Sequence, residues 1–216
     1  TSSYVAALVV AAGITTGANS VFAQGNWYAD NIVASNSVTV KSNLIVGVST
    51  ATGACAVAEG MFSSANGAYS HAEGGSIANG AYSHAEGCST ASATKSHSEG
   101  QGTSVYSGTA AHGEGDYTTA SGSASHAEGE QTTASGTYSH AEGVATEASG
   151  YASHAAGMSA HATNSYTYVW SDGTSVSSTT TKQYSVYATG GIRLMGGATV
   201  IVCGGDVSTG SFTNMP

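Results

Sequence analysis

The stretch GSASHAEGEQTTAS (residues 122–135) runs directly into GTYSHAEGVATEAS (136–149), and these two lines decide the fold. The same frame recurs on both sides of them. Its central glycines are Gly60, Gly74, Gly87, Gly100, Gly115, Gly129, Gly143 and Gly157, separated by steps of 14, 13, 13, 15, 14, 14 and 14 residues. Apolar residues do not recur at the 3.6-residue spacing of a helix, and so many glycines would weaken one. Two glycines per copy instead permit the positive φ angles that sharp corners need. Each copy therefore reads as a short strand (SHAE), a corner, a second short segment (TTAS) and another corner. One copy per coil places equivalent residues in ladders with rungs about 4.8 Å apart. The fold class expected is all-β, a parallel β-solenoid of about eight coils over residues 53–163, roughly 38 Å long at that spacing.

Composition narrows the function. Charged residues are 8% of the 216-residue chain, with four Lys plus Arg against thirteen Asp plus Glu. Nucleic-acid binding needs clustered cations, as does docking on an anionic membrane, so neither partner is expected. Twelve tyrosines and a strict period argue against a disordered linker. Cys55, Cys88 and Cys203 have no metal-ligand spacing, and their odd number leaves at least one thiol free or paired between chains. Ala and Ser fill little space, so a lone coil this thin buries little apolar surface, and several chains side by side would remedy that.

The flanks read differently from the repeat. Residues 1–25 hold an apolar run with Val5, Leu8, Val9, Val10 and Ile14, too short to span a bilayer as a helix but suited to a strand. It is expected to be an assembly strand that pairs with another subunit. The alternative is a residual signal segment, with Val21-Phe22-Ala23 as its cleavage site. Residues 26–52 read as a β region of short Val/Ile strands and polar turns, and 164–216 as a C-terminal β cap.

The SHAEG pentad holds a serine, a histidine and a carboxylate, but strand alternation puts His126 and Glu128 on one face and Ser125 on the other. That geometry speaks against a catalytic triad, and no enzyme is expected. The repeated histidines His71, His84, His97, His112, His126, His140 and His154 form one ladder, and Glu59, Glu73, Glu86, Glu99, Glu114, Glu128 and Glu142 another. Imidazole and carboxylate rungs are also a metal-binding possibility. Seven evenly spaced copies, however, look like a construction rule, so no cofactor or metal is expected. The TTAS segments at 118–121 and 132–135 suggest an outer Thr ladder of the ice-binding kind, weakened by Ser76, Ser104 and Ala145 elsewhere. His161 is expected in a turn.

The fourteen-residue repeat resembles the head of the trimeric autotransporter adhesins, the YadA-like left-handed parallel β-roll with its NSVAIG repeat. It is closer to the SHAEG-repeat variant of phage tail fibres and prophage surface proteins. TYVWSDG (167–173) and KQYSVYATGGIRLMGG (182–197) are similar to a short module that often follows such repeats, apart from Tyr187 where Arg is expected. The resemblance implies an intertwined homotrimer, extracellular or on a cell or virion surface, with a possible host-surface receptor. The function expected is a structural fibre or adhesin subunit that projects or polymerises. The alternatives are a phage tail or head fibre subunit, an ice- or metal-binding solenoid, and an autoproteolytic fibre protein. Aligning YSHAEG with NSVAIG puts His and Glu in slots that resemble core positions. Val57 and Ala156 in the end copies suit that reading. The ladder is thus expected to face inward or between chains, with the carboxylate raising the folded His pKa and the imidazole depressing that of Glu.

Overall fold

In two-strand coils, period and corner chemistry leave the backbone one arrangement, with every coil stacked on the last. The computed structural model of the chain describes residues 44–46 and 49–192. The expected assembly strand with Val5, Leu8, Val9, Val10 and Ile14, most of the 26–52 region, Cys203 and residues 193–216 lie outside the described residues. Among the described residues there are seventeen strands and no helix, and all strand pairs are parallel within one continuous sheet.

The first strand of each coil begins at the His position, as in His71–Glu73, His112–Asp116, His126–Glu130 and His140–Val144. The second is the two-residue segment after the Gly corner, as in Ser64–Ala65, Thr119–Ala120 and Thr133–Ala134. Like stacks on like: His126 on His140, Glu128 on Glu142, Gly129 on Gly143. The pairing runs past both expected edges of the roll. Leu44–Val46 pairs with Val57–Glu59 at one end. At the other, His154–Ala162 pairs with Tyr168–Ser177, which pairs with Tyr184–Tyr187. The solenoid has about ten turns instead of eight, and the first part of the expected C-terminal cap is more solenoid.

The interior is made of small residues. Ser125, Ala127, Thr132 and Ala134, with their equivalents in other coils, point inward, and the largest fully buried side chains are Val105 and Val169. Inner serines also fasten corners: Ser70, Ser83, Ser96, Ser139 and Ser153 each donate a hydroxyl to the carbonyl three residues back. At the corner itself the backbone turns left-handed even without glycine, as at Tyr138 with φ 59°. That conformation costs about 1–2 kcal/mol for a side-chain-bearing residue. It is held because the Tyr138 amide donates to the Ser123 carbonyl of the coil before, at 2.9 Å. A glycine two residues before such a corner, as Gly122 is before Ala124, serves a different need. A Cβ on Gly122 would collide with the carbonyl oxygen of Gly136 in the next coil, so the two backbones approach too closely for any other residue.

One local compensation shows how tightly this interior is filled. Val105 stands where the neighbouring coil has Ala91, and Gly113 stands between Ser98 and Ala127 in the facing ladder. A Cβ on Gly113 would lie 3.0 Å from Thr103 Cγ2 and 3.3 Å from Val105 Cγ2. The missing methyl of one ladder makes room for the extra carbons of the other.

Candidate functional site: an outward histidine and glutamate ladder

Alternation along each first strand turns the residues between the inner Ser and Ala outward. In the central coil Ser125 is 2% and Ala127 0% exposed, while the His126 and Glu128 side chains are both 34% exposed. The inward arrangement therefore fails for the coil's own interior. The physical reason is width: a space that holds nothing larger than valine cannot take an imidazole. Val57 sits in the same half-buried outer position as the histidines, so an apolar end residue did not mark an inner slot. Ser125 does lie on the opposite face from His126 and Glu128, which leaves no hydroxyl beside the imidazole.

On the outer face the seven repeat histidines stack. Successive rings from His71 to His154 have centroids 4.6 to 4.9 Å apart, and from His71 to His126 their planes lie within 8° of one another. The column does not stop at His154. Tyr168 follows at 4.8 Å and Tyr184 stacks on it at 4.8 Å, giving nine aromatic rungs. In the glutamate column, Ala156, Trp170 and Val186 continue the line. Tyr168 and Tyr184 were not among the ladder residues expected from the sequence. The fourteen-residue step from His154 to Tyr168 is the signal that reveals the first of them.

The two columns are offset by one rung. Glu59 has Val57 rather than His beside it, and His154 has Ala156 rather than Glu. The His84, His97, His112 and His126 imidazoles each lie 3.4 to 3.8 Å from the carboxylate of their own rung. His140 and His154 approach that of the preceding rung, at 3.8 and 3.4 Å. His71 lies between two, 3.8 Å from Glu59 and 3.7 Å from Glu73. The Nε2 atoms of His71, His84, His97, His112, His126 and His140 are shielded from solvent and have no hydrogen-bond partner.

The electrostatics run opposite to the expectation of carboxylate dominance. Partial burial, followed by the charge of the stacked neighbouring imidazoles, lowers the pKa of His84, His112 and His140, and the nearby glutamates do not outweigh those effects. Glu128 is raised, chiefly by desolvation, although His126 pulls it the other way. Imidazoles stacked at the coil spacing add to the effect of burial, since a proton on one ring disfavours a proton on the next.

The remaining outer features are simpler. Of the two threonines in each TTAS segment, Thr118 and Thr132 are buried in the core, while Thr119 and Thr133 face out. The outer line continues as Glu147 and His161, so no regular Thr array exists on that face. His161 lies in a strand, not a turn, and its Nδ1 is 3.5 Å from Glu147. A side-chain chain links Thr52, Asn66, Asn79 and Ser92 along one corner, with Asn66 Nδ2 donating to Asn79 Oδ1 at 2.8 Å. Asp172, of the Trp-x-Asp element, accepts the hydroxyl and the amide of Thr189, both at 2.6 Å. Those bonds, the hydroxyl's foremost, hold its pKa below the usual carboxylate value. Cys55 and Cys88 are exposed free thiols. Among the described residues no helix is long and apolar enough to cross a membrane. No family model matches the chain, and no curated protein matches it.

Proposed function

We propose that this chain is the structural subunit of a trimeric extracellular fibre of the adhesin type, and that the His and Glu face is where its copies meet. One observation carries the proposal. The outer histidine column passes without a break from Val57 through the histidines to Tyr168 and Tyr184, with Trp170 beside Tyr168 in the glutamate column, and Tyr184 is 72% exposed in the single chain. A polar face with apolar and aromatic ends is what an interface between copies would present. The narrow interior supports the same reading, because a core limited to Ala, Ser, Thr and a few Val supplies little burial by itself. Three solenoids around one axis would bury the columns and supply the missing apolar contact. The resemblance of the SHAEG repeat to adhesin-head rolls and phage-fibre repeats favours a trimer over other symmetries. Projection or end-to-end polymerisation would be the work of such a rod.

Light scattering on the purified chain at micromolar concentration tests the assembly, with three times the chain mass expected. Trp170→Glu tests the face, because a charge buried at the contact should dissociate the trimer and leave the solenoid folded by circular dichroism. A folded monomer in the parent protein, or a trimer indifferent to W170E, would overturn the proposal.

A further inference from the structure

The ladder's offset leaves one place where carboxylates outnumber imidazoles. At that end Val57 replaces histidine, so Glu59 has no ring of its own rung, and both Glu59 and Glu73 face His71. His71 Nε2 is 3.8 Å from Glu59 Oε2 and 3.7 Å from Glu73 Oε2, and the three donor atoms lie within 4.8 Å of one another. The nitrogen is shielded from water and has no hydrogen-bond partner, so its lone pair or proton is directed at two carboxylates and at nothing else.

We infer that Glu59, His71 and Glu73 form a binding site for a divalent transition-metal ion of the zinc class. Ligands at about 2.1 Å and a tetrahedral angle lie about 3.4 Å apart, so two of the three donor separations need close by only a few tenths of an ångström. Carboxylate side chains on a half-exposed face make that adjustment by rotating. One imidazole with two carboxylates suits zinc, cobalt or nickel, and three protein ligands leave further coordination positions for water. A divalent ion also answers the local charge, which a single imidazole cannot neutralise.

Three further groups bring their donors as close (His84, Glu86 and His97; His112, Glu114 and His126; His126, Glu128 and His140), but each sets two rings against one carboxylate. Glu128 serves both His126 and His140 at 3.8 Å, so there two rings would have to share one ion. Those rings stack within 14° of parallel, and their Nε2 lone pairs run side by side instead of converging. An ion held by both would require one ring to leave the stack. At His71 a single ring is enough.

The site draws all its donors from one chain and does not rest on the proposed trimer. The test is calorimetric titration of Zn²⁺ into the full chain at pH 7.5 after chelator treatment, with the assembly mass measured on the same samples. One ion per chain is expected to bind at this site. E59Q and H71V should each weaken it by more than about tenfold, since even loss of an outer-shell partner costs that much. E114Q, in the middle of the ladder, should leave the affinity of this site within a factor of two or so, because it removes none of the three donors. H71V places in that slot the residue already found at position 57, and circular dichroism reports whether either variant disturbs the fold. Absence of zinc binding, or equal binding by the parent, E59Q and H71V, would overturn the assignment whatever the assembly mass proves to be.

Discussion

Replacing Val105 with Ala removes two carbons from one of the largest fully buried side chains of the interior. At about 0.8 kcal/mol per buried methylene the transfer loss is about 1.6 kcal/mol, and the cavity left behind raises it to about 2–3 kcal/mol. Replacing Gly113 with Ala does the reverse, because its Cβ would press on Thr103 Cγ2 at 3.0 Å and on Val105 Cγ2 at 3.3 Å. Overpacking of that kind costs about 1–3 kcal/mol, reduced by about 0.4–1 kcal/mol from the stiffer unfolded chain. Together the two changes restore the Ala and Ala pairing of neighbouring coils, and the new methyl occupies part of the new cavity. The double variant should therefore lose about 2 kcal/mol less than the sum of the two single losses. Urea titrations of the four proteins at one chain concentration measure the cycle, since assembly would make apparent stability concentration-dependent. Effects that add to within about 0.5 kcal/mol would refute the compensation and place Gly113 outside the reach of Val105.

Acidification should destabilise the protein. The histidines His84, His112 and His140 have folded pKa values below the ordinary 6.5. Their contribution is therefore complete above the unfolded value and is lost as pH falls from there toward the folded values. Glu128 acts with the opposite sign and in a lower window, stabilising below its ordinary 4.5 and losing that contribution as pH climbs through the raised folded value. The melting temperature should thus be higher at pH 7.5 than at pH 5.5, and a rise on acidification would contradict the stacked geometry. Gly122→Ala should cost about 3 kcal/mol or more in a thermal melt, because the added carbon meets backbone, which cannot step aside. A loss below about 1 kcal/mol would mean that adjacent coils separate more easily than the structure implies.

Period, corners and strand alternation were legible because each is a local rule applied many times. Fourteen residues with two glycines specify a coil, and alternation alone separates Ser125 from His126 and Glu128. The number of turns was not legible by the same route. The copy at Tyr166-Thr167-Tyr168-Val169-Trp170-Ser171 keeps the step but has Tyr for His, Trp for Glu and Ser for the corner Gly. The early copy at Leu44-Ile45-Val46 is disguised in the same way. What such copies share is geometry, not residue identity, so a motif search ends where the solenoid continues. The inward alternative for the ladder failed for a different reason. Apolar residues in the end copies suit an interior and an outer contact face equally well, and only the width of the coil separates the two. The pKa direction failed because sequence spacing shows the glutamate two residues away, but neither the burial of the ring, which is the larger effect, nor the imidazole from thirteen to fifteen residues away that stacks on it.

In the proposed assembly, the uniform middle of this face sets attraction and the ends set register. A partner displaced by one coil, about 4.8 Å, would still find His and Glu opposite the same groups on all but one rung. Six equivalent His and Glu rungs therefore cannot distinguish the correct alignment from its neighbour by much more than a single rung's energy. The residues that break the pattern can. Val57 at one end, and Tyr168 and Trp170 at the other, occupy half-buried ladder positions where a displaced partner would bring an ionisable side chain against an apolar one. An unpaired charge or an unpartnered polar group at such a contact costs considerably more than a surface ion pair contributes. Departures from the repeat at the two ends, which make the sequence pattern look imperfect, are on this argument what gives a repetitive surface one alignment.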